Sequence, residues 1–283
     1  MKINVFGVMK PVTSALMVML LASNGILAGN IEVRPGQTNE LKLLDNSWHK
    51  VTVQLSTAEI RTLEVTAGEQ TYTRLLMPAY SRTDVLGSPE LPVRREFLEV
   101  PVGAAARVEI TRAVYKDLDL TAMGFLNPVF PAQAPASKGE DVHPFAINSS
   151  AYQVDDFFPG DLASFEVLGF MRSYRMGRLD IFPVHYNPVT HTLRVYEELE
   201  VTVHFDHGDV SASIDLKQKY ENFYFKGIGR AMLNYQPLAN RDTVSTYPIT
   251  YVIVSDPMFQ SQLEPFVAWK AQQGFKVIEA YTN

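Results

Sequence analysis

From Ile31 to about Phe205, apolar and polar residues alternate with a period of two. HKVTVQL from His49, ARVEITRAV from Ala106, TLRVYE from Thr192 and EVTVHF from Glu200 are the clearest runs. Alternation sends successive side chains to opposite faces, so these runs predict antiparallel strands with one face in water. Gly, Pro and Asn bound the runs, and YNPVT at 186–190 reads as a turn between two of them. The predicted architecture is mainly β, an antiparallel β-sandwich.

Two stretches depart from period two. NPVFPAQAPASKGEDVHP, residues 127–144, mixes prolines, small residues and charges. It reads as a long exposed loop, and loops of that length in compact domains are commonly functional. Asp215 to about Asn234 has helical spacing, with Leu216, Tyr220, Tyr224 and Ile228 on one side. A polar stretch, Gln236 to Ser245, then leads to a different pattern. Tyr251 to Val254 is a β-rich run. Asp256 is a predicted N-cap, with Pro257 at the first helical position. Phe259, Leu263, Phe266, Val267 and Lys270 follow at helical spacing, Gly274 is a helix stop, and Phe275 to Ala280 is a second strand. This is one βαβ unit. Such a unit needs further parallel strands to cover its faces, so the expectation is that the 283 residues are the front of a longer product.

The N-terminus changes the picture of where the protein works. Lys2 and Lys10 are the charges before Glu32, Val12 to Leu27 is mostly apolar, and Ile26-Leu27-Ala28 offers small-residue cleavage. This is the pattern of a secretory signal over residues 1–28, cut between Ala28 and Gly29, or one residue later. The apolar run is too short to span a bilayer comfortably, so the exported protein is expected to be secreted or at the cell surface, without stable membrane insertion. The net charge of −6 argues against a nucleic-acid partner. The absence of cysteine removes disulfides, thiolate metal sites and a cysteine nucleophile from the chain itself.

Little else reads as chemistry. His204 and His207 are three apart and face opposite sides of a strand, so they do not converge on a metal. His185 and His191 flank the turn and read as surface residues. Asp155, Asp156 and Asp161 lack calcium-loop spacing and read as a solvated turn. Gly227 and Gly229 lack the third glycine of a dinucleotide fingerprint, and no serine sits in a nucleophile elbow. No cofactor, metal or catalytic constellation is expected in this chain.

Three blocks carry a family likeness. FFPGDLASFEVLGFMRSYRMGRLDIFPVHYNPVTHTLRVYEELEVTVHF (157–205) and GSPELPVRREFLEVPVGAAARVEI (87–110) resemble the propeptide of the gingipain cysteine peptidases. FQSQLEPFVAWKAQQGFKVIEAYTN (259–283) resembles the opening of the gingipain catalytic domain, which is caspase-like. The resemblance implies a signal at 1–28, a propeptide sandwich with a C-terminal helix at 29–241, and the start of a caspase-like α/β domain at 242–283. It implies a cysteine endopeptidase zymogen whose His and Cys lie outside this chain, which is itself expected to be inactive. It further implies that the propeptide keeps the peptidase latent, assists its folding and has the cognate catalytic domain as an intramolecular partner. Protein or peptide substrates would belong to the full-length enzyme. Lys138, in SKGEDVHP, lies where the family's loop would present a basic residue to the substrate pocket. Arg241-Asp242 lies where the family matures after an arginine, with Arg230-Ala231 as the rival bond. The competing readings are a secreted binding module and a stand-alone peptidase inhibitor. A sugar platform would have to lean on tyrosines, because Trp48 and Trp269 are the only tryptophans.

Overall fold

The structure is a computed structural model describing residues 28–135, 144–220, 226–237 and 249–282. Its first strands are β1 (Ala28–Glu32), β2 (Glu40–Asn46), β3 (Lys50–Ser56), β4 (Glu59–Ala67), β5 (Gln70–Leu76), β6 (Ser81–Arg82) and β7 (Pro92–Glu99). Then come β8 (Ala105–Asp119), β9 (Ala163–Met171), β10 (Tyr174–Ile181), β11 (Val184–Asn187) and β12 (Thr192–Asp206). Helices α1 (Val210–Tyr220) and α2 (Lys226–Arg230) follow, and the βαβ unit is β13 (Thr250–Ser255), α3 (Gln260–Gln272) and β14 (Lys276–Tyr281).

The predicted alternation produces antiparallel sheets. Strand β12 is the spine: β8 pairs along one edge over its whole length, while β11 and then β3 pair along the other, with β2 outside β3. A second sheet has the order β6-β7-β10-β9, and a third β1-β4-β5. One face of β12 feeds two cores. Leu199, Val201 and Val203, with Val51, Val53 and Leu55 of β3, pack on Leu98 of β7 and on Leu179 and Ile181 of β10, all at most 1% exposed. Leu193 and Val195 pack in a second cluster with Ile31, Ile60, Leu75, Val184 and Tyr186. Between the two, Glu197 interrupts the apolar series, and the register with β8 slips there. Each such aliphatic side chain contributes roughly 1.5–3 kcal/mol by leaving water, so the period-two pattern is the main stabilising feature. The other face of the long edge strand β8 stays wet, as expected.

Two local expectations are corrected. The helix begins five residues before Asp215, at Val210, because Asp209 accepts from Ala212 N–H at 2.8 Å and so caps it. Its buried positions are Ser213 and Lys217 rather than Leu216 and Tyr220. Tyr224 lies outside the described residues, and Ile228 sits on α2. In the stretch read as an exposed loop, Val129, Phe130 and Ala132 are buried. Phe130 N–H donates to Thr73 O (2.9 Å) and Glu90 N–H to Phe130 O (2.8 Å), so this limb runs between β5 and the approach to β7.

The terminal unit follows its sequence closely. Asp256 accepts from Met258 N–H at 2.8 Å, Gly274 has φ +89° at the helix stop, and β13 pairs with β14 in parallel.

Candidate functional site

Lys138, Arg241 and Asp242 lie outside the described residues, as does the signal up to Leu27. What the structure describes is the framework on either side of them: a neck that holds both limbs of the long loop, and a strap that precedes the linker.

The incoming limb of the neck is stitched on both sides. Thr73 N–H donates to Pro128 O and Ala132 N–H to Ser88 O, both at 2.8 Å. Tyr152 O–H donates to Val129 O at 2.6 Å, and burial holds its phenol well above the usual range, so it remains a donor. The return limb is gripped by one side chain. Gln133 accepts Ala146 N–H at Oε1 (2.9 Å) and donates from Nε2 to Ala146 O (2.8 Å). Asn148 N–H donates to Gly87 O at 2.9 Å. Gly87 has φ +75°, and a Cβ there would sit 2.6 Å from Asn148 N, so both conformation and space demand glycine.

Aromatic rings fill the neck. Phe145 lies 5.5 Å from Tyr72 and 5.8 Å from Phe130, centroid to centroid. Arg74 stacks over Phe130 at 4.6 Å and makes a two-point contact with Glu90, at 2.6 and 3.0 Å. Arg82 adds a third contact to the same carboxylate at 3.3 Å. Glu90 is only 4% exposed, so this paired geometry is what makes its burial tolerable.

The strap is Met232–Gln236. Met232 packs on Tyr174 and Met176, and Leu233 N–H donates to Phe97 O at 2.8 Å. Asn234 matches the backbone of Glu99, accepting its N–H at 2.7 Å and donating to its carbonyl at 2.9 Å. Beneath the strap, Lys217 of α1 is fully buried and its Nζ reaches Glu99 Oε2 at 2.6 Å and Gln236 O at 3.2 Å. The rings of Trp48, Tyr174 and Tyr235 surround the ammonium at 4.9–5.6 Å. Sequence reasoning missed this centre because a lysine on a helix normally marks the wet face. The available signal was its i, i+4 relation to Ser213, one turn after a capping aspartate.

The strap bears on the two candidate scissile bonds. Ala231 N–H donates to Gly227 O and to Ile228 O at 3.2 Å, and Met232 is 3% exposed. The Arg230-Ala231 bond is therefore tied at a helix end with its downstream residues pinned.

The histidines fall differently from their sequence reading. His185 is buried at 3% exposure, not on the surface, because its strand residue is covered by Tyr196 and the Asp161–Phe182 backbone. Burial first, then the Arg194 cation opposite it, push its pKa down to about 4. His191 is partly buried and hydrogen-bonded to Tyr186 Oη (2.7 Å) and Phe125 O (2.8 Å). His204 pairs with Glu109 at 2.7 Å, holding that carboxyl below its usual value, while His207 lies past the strand end with φ +60°. Asp155 and Asp156 are exposed; Asp155 accepts from Asn187 Nδ2 on β11, and Asp156 accepts locally from Phe157 N–H.

Comparison with known proteins places this framework. The chain is 29% identical to Lys-gingipain HG66 of Porphyromonas gingivalis over 262 residues, covering 92% of this chain and 15% of that protein. It is 24% identical to gingipain R2 of the same species, covering 92% of this chain and 35% of that protein. The chain thus spans well under half the length of these curated relatives. A structure described as giving insight into the zymogenic latency of gingipain K from Porphyromonas gingivalis superposes with a TM-score of 0.58 at 29% identity, over 63% of this chain and 98% of that one. The complex of Porphyromonas gingivalis RgpB pro- and mature domains gives 0.57 at 22% identity, over 71% and 100%, a likeness of fold. The Propeptide_C25 family model matches residues 32–237, the sandwich from the end of β1 onward with its neck and strap, and the chain accordingly belongs to that family as a gingipain-type propeptide.

Proposed function

We propose that residues 29–241 are the latency domain of an exported cysteine endopeptidase, and that residues 242–283 open its caspase-like catalytic domain. The observation that carries this reading is the match of one propeptide family over residues 32–237, nearly all of the sandwich. In this reading the domain occludes the substrate cleft of its own catalytic domain and supports its folding. Lys138 enters the pocket that would take a basic substrate side chain. An ammonium on a segment between two fixed limbs suits such a pocket, because less freedom is lost on docking. Peptide substrates belong to the complete enzyme.

Maturation cuts Arg241-Asp242, since the strap pins the residues after Arg230 and exposed linkers are the preferred sites of nicking. Export removes residues 1–28. Cutting after Ala28 leaves Gly29–Glu32 to pair with Glu59–Thr62. The binding-module reading loses support because the Trp48 ring packs on Lys217.

Two experiments test this. The Lys138→Ala chain should inhibit the mature enzyme released from the full-length precursor at least tenfold more weakly than the wild-type chain, about 1.4 kcal/mol; an unchanged inhibition constant removes Lys138 from the mechanism. N-terminal sequencing of the matured enzyme should begin at Asp242, and a start at Ala231 would reverse the order of the two bonds.

A further inference from the structure

We infer that Gln133 is a positioning residue for inhibition: its amide closes the neck and fixes where the segment between Gln133 and Phe145 leaves and re-enters the sandwich. This rests on the latency reading above and assigns the control of that segment to a side chain in the described framework.

The grip is a side-chain imitation of a strand pair. Oε1 accepts from Ala146 N–H and Nε2 donates to Ala146 O, so both polar groups of one residue are held at once, at 2.9 and 2.8 Å. A single hydrogen bond would set a distance, whereas two on one residue also set its orientation. The site selects an amide. Three carbonyl oxygens gather around Nε2: Ala146 at 2.8 Å, Pro131 at 3.0 Å and Ala132 at 3.3 Å. A carboxylate there would face all three as an acceptor against acceptors, and asparagine is one methylene too short to reach both groups of Ala146. Gln133 belongs to neither of the two large apolar cores. The return limb retains its Asn148–Gly87 hydrogen bond and the Phe145 ring contacts without it. The amide is thus placed to govern the geometry of the neck rather than the survival of the sandwich. Holding both limbs in place before binding is how preorganisation raises affinity.

The test compares inhibition of the mature enzyme released from the full-length precursor by the wild-type chain, Gln133→Ala, Gln133→Glu, Lys138→Ala and the Gln133→Ala/Lys138→Ala double variant, with thermal unfolding of each. Gln133→Ala and Gln133→Glu should each raise the inhibition constant at least fivefold while the melting midpoint falls by less than about 4 °C. In the Lys138→Ala background the same change should cost less than twofold, because Gln133 acts through the segment that carries Lys138. An unchanged inhibition constant for both Gln133 variants overturns the inference, as does a loss that is undiminished in the Lys138→Ala background. A wild-type chain that does not inhibit would overturn the inference together with the latency reading, and the wild-type arm separates that failure from a failure of the neck alone.

Discussion

The sandwich and the terminal βαβ unit treat similar residues in opposite ways. In β3 and β12 the aliphatic side chains are at most 1% exposed. In the terminal unit Val252 is 56% exposed, Val254 68%, Ile278 43% and Trp269 50%, and Ile253 is the one apolar residue of β13 counted as buried. Sequence propensity is strong in both. The difference is layering: the sandwich closes its apolar faces against one another, while two parallel strands and one helix leave a face without a second layer. The lesson is that local pattern fixes element type, whereas stability belongs to the region that supplies both sides of its own core. The sandwich supplies both sides of its own core, whereas the βαβ unit, among the described residues, leaves apolar side chains of both its strands in water.

Substitutions can break or sharpen that contrast. The largest effect is expected at Lys217, the cation buried beneath the strap. Lys217→Ala leaves the Glu99 carboxylate buried without its ammonium, which should cost the sandwich about 3–5 kcal/mol in urea unfolding. The Lys217→Met/Glu99→Gln pair should recover part of that loss.

A pH series should expose another buried ionisable group, His185. His185 has a folded pKa of about 4, against 6.5 unperturbed. Below pH 6.5 the unfolded chain binds a proton that the folded chain refuses until about pH 4, so this contribution is present above 6.5 and fades as pH falls towards 4. The whole window amounts to at most about 3 kcal/mol. His185→Gln should flatten the slope of unfolding free energy between those pH values, leaving the carboxylate titrations below it.

Gly87→Ala comes next, at roughly 1–3 kcal/mol, since it combines a positive φ with an approach to Asn148 that admits no Cβ. The smallest change is expected on the outer edge of the second sheet. Phe170 is 59% exposed in a cavity of about 390 Å³ lined by Phe97, Leu168 and Met176, and Phe170→Ser should alter sandwich stability by less than about 0.5 kcal/mol.

These predictions also mark what the sequence could reveal. Strands, turns and the Asp256 cap were legible because they follow from near-neighbour chemistry. Lys217 was not, because its burial depends on Glu99, distant in sequence and brought close by the sandwich, and His185 was not, because alternation alone does not place the Tyr196 ring over it across the β11-β12 pair. Val129 to Ala132 read as loop because prolines break ladders, yet the limb finds its partners at Thr73, Ser88 and Glu90. The alternation of β12 announced one buried face; the two clusters that it serves appeared only with the register of its neighbours. The blocks at 87–110 and 157–205 identified the family, although the neck and strap that give it its geometry carry no motif of their own.

The most direct test of the account is a titration of the folded chain against the mature enzyme released from its own full-length precursor, hydrolysing a short peptide substrate. The account predicts saturable inhibition, competitive with substrate, with one chain bound per enzyme. Full activity of that enzyme in the presence of excess folded chain would contradict it.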